Sequence, residues 1–301
     1  MRPDLREAAV RGHARGTALS LAPPARTPAG AAGERLGGRV GSSVEFMDFR
    51  AYAPGDDLRR LDWAAYARTD RLITRLYREE VTPHCDLLVD ATASMDLPDA
   101  PKAAAVMRVA GLLAGAAEAS RWSTRLFALD APAEGPVGRE VPGGNAGLEA
   151  WDWPGFAESA DRGPGEAKTP TVRGPLRLKR QALRIVVSDL LFEADPEAVA
   201  ARFADGAAGL TVVQLLCERD ADPGGDGFSG DVRLVDAEAG LLREARLDAA
   251  ALRAYREALR AHTERWVAAL GRVDARLVTL IAEDVVAGDA AKTLIERGVL
   301  R

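Results

Sequence analysis

An aspartate followed by two hydroxyl residues at alternate positions is the first feature of this chain that could do chemistry. The apolar run Cys85–Val89 leads directly into Asp90, and Thr92 and Ser94 follow. Alternate residues of an extended segment point to the same side, so the carboxylate and both hydroxyls are expected to face one point. Oxygen donors of this kind suit a hard divalent cation such as Mg²⁺.

A second acid follows a second apolar run, in which Leu183–Val187 leads into a serine and Asp189. Ligands of open α/β sheets bind at the carboxyl ends of the strands, so Asp189 is expected to lie near Asp90. Asp90, Thr92, Ser94 and Asp189 are therefore the predicted metal ligands. The alternative is structural, because Asp, Ser and Thr after a strand often only cap a helix or form a turn.

Strands that alternate with helices must position these residues. Short β-branched or aliphatic runs predict the strands, and the stretches between them predict the helices. The strands are Cys85–Val89, Thr124–Leu129, Leu183–Val187, Thr211–Leu216 and Leu277–Ile281, and the helices are Ala103–Ala119, Pro196–Ala207, Ala249–Leu270 and Ala290–Arg297. This alternation predicts an α/β fold with a mostly parallel central sheet flanked by helices. A hairpin, Val232–Val235 with Leu241–Leu247, is expected to join the sheet.

The rest of the chain divides into segments of different composition. Residues 1–40 predict an arginine-dotted helix followed by a Pro/Ala/Gly-rich loop over Ala22–Gly38. Residues 41–82 are dense in charge, aromatics and turn residues. Residues 83–301 are predicted to form the α/β domain, interrupted at 135–175 by an irregular insertion rich in Gly and Pro.

Composition and charge exclude several classes of function. The formal net charge of −5 gives no broad attraction to nucleic acid or to an anionic membrane. No run approaches the roughly 20 apolar residues of a transmembrane segment. The charged N-terminus is unlike a signal peptide, so a cytoplasmic protein is expected. The two cysteines lie in apolar runs and predict buried thiols, not a disulfide framework or a zinc site.

Familiar catalytic patterns do not fit the chain. A phosphoaspartyl hydrolase would have a second aspartate where Thr92 stands. Lys168-Thr169 lacks the preceding glycine of a phosphate-binding loop, and no G-x-S-x-G serine motif occurs. We therefore expect no catalytic residues. A Mg²⁺-dependent hydrolase that acts on a phosphate-containing substrate through Asp90 and Asp189 stays the alternative.

A long motif before the first predicted strand carries a family resemblance. It runs Glu45-Phe-Met-Asp-Phe-Arg-Ala-Tyr-Ala-Pro-Gly-Asp-Asp-Leu-Arg-Arg-Leu-Asp-Trp63 and is followed by Ala67-Arg68. Together with Ser94-Met95, Lys102, Ser188-Asp189-Leu190 and Asp236–Gly240, it resembles the bacterial family called domain of unknown function 58. The resemblance extends from about Gly41 to the C-terminus.

The resemblance implies a von Willebrand factor A-like domain and a partner. The loop at Asp90 is similar to the metal-ion-dependent adhesion site of such domains, whose pattern is Asp-x-Ser-x-Ser. Members commonly accompany MoxR-type AAA+ ATPases. The implied role is therefore an adaptor or co-chaperone-like protein, not an enzyme, that binds its partner at or near this adhesion-like site. Thr92 replaces the first serine, and Asn145 stands where such sites use a threonine. This incomplete ligand set predicts weak, water-completed binding of Mg²⁺ or Mn²⁺, or a structural domain with a vestigial site.

The charged and aromatic residues of the motif allow two interpretations. Pro54-Gly55 predicts a turn, around which acids and arginines gather. They form either a charge network that pins the segment to the larger domain or a docking surface, because Arg and aromatics are typical of interface hot spots. The residues predicted for one role or the other are Arg50, Tyr52, Asp56, Asp57, Arg59, Asp62 and Trp63.

Overall fold

A central, mostly parallel sheet flanked by helices organises the chain. The computed structural model describes residues 3–24, 30–40, 46–97, 100–143, 174–225, 229–237, 241–288 and 290–301. The strands are β1 (Gly30–Val40), β2 (Phe46–Ala51), β3 (Ile73–Asp90), β4 (Ser123–Leu129), β5 (Val137–Val141), β6 (Gly174–Pro175), β7 (Leu183–Ser188), β8 (Gly209–Leu216), β9 (Gly230–Val235), β10 (Leu242–Leu247) and β11 (Arg276–Ile281). The helices are α1 (Pro3–Gly16), α2 (Trp63–Thr69), α3 (Lys102–Ala119), α4 (Pro196–Ala204), α5 (Glu218–Ala221), α6 (Ala249–Arg272), α7 (Ala282–Ala287) and α8 (Ala290–Glu296).

The strand order places a switch point at the centre of the sheet. The order is β11-β8-β7-β3-β4-β5-β6, and the four pairings from β11 to β4 are parallel. From β3 the chain moves to β4 on one side, and it later returns to β7 on the other side. The direction of winding therefore reverses between β3 and β7. In sheets of this kind, the crevice at such a reversal is where ligands bind.

Both faces of the sheet are buried, which explains why its central strands are mostly apolar. Leu87 and Val89 of β3 belong to a core shared with α1 and α3. Leu88, between them, belongs to a second core with Trp266 of α6 and Val199 of α4. Successive side chains of a strand point to opposite faces, so a strand covered on both sides needs apolar residues at every position.

Helices α1 and α3 pack with their backbones in close contact. A Cβ placed on Gly111 of α3 would lie 2.2 Å from the carbonyl oxygen of Ala9, and one on Gly12 of α1 would lie 2.1 Å from that of Arg108. Only residues without a side chain permit this approach. The contact positions α3, the helix that begins with Lys102.

The first half of β3 extends beyond the parallel sheet and pairs with two antiparallel strands. β1 pairs with β3 around Val81, and β2 pairs with it from Ile73 to Tyr77. The prediction of a loop over Ala22–Gly38 is therefore wrong from Gly30 onward. We call residues 46–76 the arm, which contains β2, α2 and the start of β3.

The predicted strands and helices of the α/β domain are confirmed. Their ends differ by up to three residues, except that β3 begins 12 residues before the predicted strand Cys85–Val89. Two expectations are wrong. The β9–β10 hairpin pairs with itself in a separate two-stranded sheet and does not join the main one. The insertion is not irregular at its start, because β5 pairs antiparallel with β4. Residues 144–173, including Asn145, lie outside the described residues. Across the described ranges, no helix combines the length and apolarity needed to cross a bilayer.

Candidate functional site

Asp90 ends β3 at the switch point and is completely buried. Its Oδ1 accepts hydrogen bonds from the Thr92 backbone N–H at 3.0 Å and from the Thr92 hydroxyl at 2.6 Å. Its Oδ2 accepts one from the Ser188 hydroxyl at 2.6 Å. The Thr92 and Ser94 hydroxyl oxygens are 3.2 Å apart. The structure therefore brings together Asp90, Thr92 and Ser94, as the alternate spacing predicts.

The environment of Asp90 disfavours its charged form. Burial and the neighbouring charge of Asp189 raise the pKa of Asp90 to about 7, although the hydrogen bonds from Ser188 and Thr92 act in the opposite direction. Near neutral pH this carboxyl group therefore gains and loses a proton. The hydrogen bond from Ser188 to Asp90 shows that the ends of β7 and β3 lie close together.

Asp189, the other predicted acid, is held by a buried salt bridge. Its Oδ2 lies 2.8 Å from Nζ of Lys102, and its Oδ1 accepts a hydrogen bond from the Leu191 backbone N–H at 3.0 Å. The side chains of Lys102 and Asp189 are 1% and 3% exposed. Neither end of this bridge is within reach of bulk solvent, so it is screened little by salt.

The turn after β7 that carries Asp189 is fixed from several directions. Leu190 adopts a left-handed backbone conformation with φ of 60°, which is uncommon for a residue other than glycine. Its N–H donates to the Ser188 hydroxyl at 3.1 Å, and the Gln214 amide donates to the Asp189 carbonyl at 3.2 Å. A ring nitrogen of His262 lies 2.7 Å from the Leu190 carbonyl oxygen. Such strain persists only where the surroundings impose it.

Lys102 also binds a third acid, Asp220. Nζ of Lys102 lies 2.7 Å from Oδ2 of Asp220, which follows β8 within α5. The same Asp220 oxygen accepts a hydrogen bond from the Cys217 backbone N–H at 3.0 Å. Burial alone would lower the pKa of Lys102, but Asp189 and Asp220 together raise it above its ordinary value. The ammonium is therefore charged at any physiological pH.

Sequence reasoning missed part of this cluster. Lys102 belongs to the family motif but was not predicted as a site residue, and Asp220 was not predicted at all. A signal for Asp220 existed, because it lies four residues after the end of a predicted strand, as the other acids lie near strand ends. For Lys102 the sequence gives no such signal, because a lysine at the start of a helix is usually on the surface.

The residues present do not fit a divalent cation as they are arranged. All four carboxylate oxygens of Asp90 and Asp189 already accept a hydrogen bond or an ion pair. Among the described residues, no group of three or more His, Cys, Asp or Glu side chains is placed to hold a metal ion. Binding of Mg²⁺ or Mn²⁺ at Asp90, Thr92, Ser94 and Asp189 therefore stays a prediction that this hydrogen bonding disfavours.

In the arm, the predicted acids bind other residues of the arm. Asp56 forms a salt bridge with Arg50 and accepts hydrogen bonds from the Ala53 N–H at 2.9 Å and the Thr74 hydroxyl at 3.3 Å. The hydrogen bond from Ala53, and then that from Arg50, lower the pKa of Asp56. These bonds close the predicted turn around Gly55, whose φ of 104° requires glycine.

Two further acids fold the segment around α2. Asp57 pairs with Arg59 and caps the short helical turn Leu58–Arg60. Asp62 caps α2 by accepting the Ala65 N–H at 3.0 Å, and it also binds Arg75. The hydrogen bond from Arg75, ahead of that from Ala65, lowers the pKa of Asp62. Both partners of each of these ion pairs lie within the arm. The pairs therefore do not serve the predicted role of pinning the arm to the larger domain.

With its acids engaged internally, the arm presents apolar and aromatic side chains on its surface. Trp63 is 58% exposed, and its ring contacts that of Tyr66 edge to face at 6.3 Å between centroids. Leu58 is equally exposed, and Phe49 and Leu72 are exposed as well. Tyr52 is half-buried, and its N–H donates to the Leu72 carbonyl at 3.0 Å.

Comparison with known proteins assigns the arm and the end of β3 to one family. The profile of the family described as "Protein of unknown function DUF58" matches residues 48–129, which include Asp90 and Lys102. The chain is also 30% identical over 240 residues to the "Uncharacterized protein Rv1480" of Mycobacterium tuberculosis, covering 76% of this chain and 72% of that protein. The chain belongs to the DUF58 family. The "Uncharacterized protein Mb1516" of Mycobacterium bovis shows the same identity and coverage.

No solved structure shows a significant match to the chain. Within the DUF58 match, β2, α2, β3, α3 and β4 supply the arm, Asp90 and Lys102. The acids that bind Lys102 lie beyond the matched residues, since Asp189 follows β7 and Asp220 lies in α5.

Proposed function

We propose that this DUF58 protein is a non-enzymatic protein-interaction module that serves as an adaptor for a MoxR-type AAA+ ATPase. Its core would be a von Willebrand factor A-like domain of the Rossmann type. The parallel strands, the reversal between β3 and β7 and the polar cluster at that point support this fold. We place the protein in the cytoplasm, because a partner that consumes ATP would work there.

The observation that carries the proposal is the surface of the arm. Three of its acids are bound within the arm, so its ion pairs are satisfied before any partner arrives. Its exposed side chains include Trp63, Tyr66, Leu58 and Arg68, and Arg60 is half-buried. Aromatic and arginine side chains on a rigid support are the usual anchors of protein interfaces.

The polar cluster at the switch point supports binding more than catalysis. Its hydroxyls bond to Asp90 or to one another, and its ammonium is bound to two carboxylates. These mutual bonds occupy the groups that a hydrolase would turn toward a substrate or an attacking water. Thr92 and Ser94 keep part of their surface exposed, so this loop offers polar groups to a partner at the opposite end of β3 from the arm.

Binding to the purified MoxR-type ATPase of the same genome tests the proposal, measured by biolayer interferometry with ADP and with a non-hydrolysable ATP analogue. We expect the wild type to bind in at least one nucleotide state. The Trp63→Ala/Tyr66→Ala variant should lose at least about ten-fold in affinity, as hot-spot residues do. Leu242→Ala on the β9–β10 hairpin is the matched control, because Leu242 is 65% exposed.

Two results would count against the proposal, and they differ in meaning. Absence of wild-type binding in every nucleotide state would refute the ATPase as the partner. Binding that the double substitution leaves unchanged would keep the partner but refute the arm as its contact.

A further inference from the structure

Lys102 is a buried cation in an unusual position. It is the first residue of α3, where the positive end of the helix dipole disfavours a cation. Its side chain is 1% exposed, so its charge is also deprived of water. A buried ammonium at a helix N-terminus persists only if something compensates both costs. Here the compensation is two carboxylates, Asp189 at 2.8 Å and Asp220 at 2.7 Å.

The two carboxylates arrive from different strands of the sheet. Asp189 directly follows β7, and Asp220 lies in α5 after β8. Both turns are fixed by their own backbone hydrogen bonds, from Leu191 to Asp189 and from Cys217 to Asp220. Nζ of Lys102 is thus the point that joins two strand ends to the start of a helix. In an oxygen-rich site at this place, a bound metal ion would join the same elements.

We propose that the Lys102 ammonium is a built-in cation that takes the place of a divalent metal ion at this switch point, so that the site keeps its shape without metal. The ammonium is covalently part of the Lys102 side chain in α3, so unlike a bound metal ion it cannot dissociate. The exposed rim of the site, Thr92 and Ser94, is then organised whether or not Mg²⁺ is available. This inference concerns the site alone and does not depend on the identity of any partner.

The charge balance of the cluster predicts what should happen when the ammonium is removed. Asp189 and Asp220 both contact the one ammonium, and the buried carboxyl of Asp90 lies near Asp189. Removing the ammonium would leave buried carboxylates from neighbouring strand ends without a counter-charge. Carboxylate oxygens are the ligands that Mg²⁺ and Mn²⁺ prefer, so the vacated position should become a metal site.

Mn²⁺ is the probe for this test, with binding followed by electron paramagnetic resonance and by thermal denaturation. The wild type should show no saturable Mn²⁺ binding at its strand ends and no change in Tm. Lys102→Ala should bind Mn²⁺ at least about ten-fold more tightly than wild type and regain Tm when Mn²⁺ is added. Lys292→Ala, which removes an exposed lysine from α8, should behave as the wild type does.

A second variant covers the case in which Lys102→Ala does not fold. Lys102→Gln removes the charge but keeps two N–H donors for Asp189 and Asp220. A gain of Mn²⁺ binding by either variant, or folding that requires Mn²⁺, supports the proposal. Saturable Mn²⁺ binding by the wild type that Asp90→Asn abolishes would overturn it. The proposal would also fail if folded Lys102→Ala and Lys102→Gln proteins both showed no gain of Mn²⁺ binding and no change in Tm with Mn²⁺.

Discussion

Lys102 and Asp189 form a salt bridge of 2.8 Å in which the two side chains are only 1% and 3% exposed. This relationship joins the first helix after β3 to the end of β7, the neighbouring strand across the switch point. Buried ion pairs rarely stabilise a fold more than apolar residues of the same size would, but breaking one from a single side is costly. The pair is therefore better explained by what it positions than by the stability that it adds.

Removing the charge of Lys102 should destabilise the protein strongly. In Lys102→Met, Asp189 and Asp220 lose their shared partner, and a single broken buried pair costs about 3–5 kcal/mol. Urea unfolding in the absence of divalent ions measures the change. Lys292→Met, at an exposed position, should change the free energy of unfolding by less than about 0.5 kcal/mol. Equal stability of the two variants would mean that the salt bridge is not formed.

The raised pKa of Asp90 predicts a pH dependence of stability. In the folded protein Asp90 holds its proton up to about pH 7, whereas its ordinary pKa is 3.8. Between these values the folded state binds more protons, so the free energy of unfolding should fall as the pH rises. The acids of the arm have lowered pKa values and act below this window.

Urea unfolding between about pH 5 and pH 8 tests this dependence. Asp90→Asn should remove most of the slope, because an amide does not titrate. The exposed Asp231→Asn on β9 serves as control and should keep the slope. If wild-type and Asp90→Asn proteins show the same slope, the dependence arises elsewhere.

Asp62 should determine the order of the arm more than the stability of the whole protein. Asp62→Ala removes the cap of α2 and the partner of Arg75 together. Amide hydrogen exchange over Trp63–Thr69 should become faster, while exchange in β7 and β8 should be unchanged. Asp62→Asn keeps an oxygen for the Ala65 N–H and should show a smaller effect. Unaltered exchange in α2 would show that the cap is dispensable.

The contact between α1 and α3 should not tolerate a methyl group. In Gly111→Ala, the added Cβ would lie 2.2 Å from the Ala9 carbonyl oxygen, so the helices must separate, at a cost of about 1–3 kcal/mol. Gly271→Ala in α6 is the matched control, because among the described residues nothing beyond its own helix backbone lies within 4 Å of the added methyl group. It should gain up to about 1 kcal/mol of helix propensity. Thermal denaturation of both variants compares them, and similar Tm values would contradict the close packing.

Some features of the fold could be predicted because they depend on local composition. β7 and β8 contain the apolar runs Ile185–Val187 and Val212–Val213, which indicate strands buried on both faces. β1 was missed because nine of its 11 residues are glycine, alanine or charged types with low strand propensity. Its pairing with β3 is also a long-range feature. The β9–β10 hairpin was recognised from its two runs, but nothing local in a hairpin fixes which sheet it joins.

The candidate site was predicted only in part for a similar reason. The spacing of Asp90, Thr92 and Ser94 is local, and the structure brings these three residues together. The partner of Asp189 depends on where α3 begins relative to β7, and 87 residues separate Lys102 from that aspartate. A lysine at the start of a helix is usually on the surface, so nothing in the sequence marked Lys102 as the buried partner of Asp189.

The most direct test of the built-in cation is the nuclear magnetic resonance signal of the Lys102 ammonium itself. With four lysines in the chain, ¹⁵N-lysine labelling gives a simple spectrum, and Lys102→Arg assigns the signal. We expect one ammonium group whose protons exchange slowly with water, that stays protonated above the usual lysine pKa, and that does not shift when Mg²⁺ is added. An ammonium that exchanges as fast as those of the exposed lysines, or that is displaced by Mg²⁺, would contradict the account.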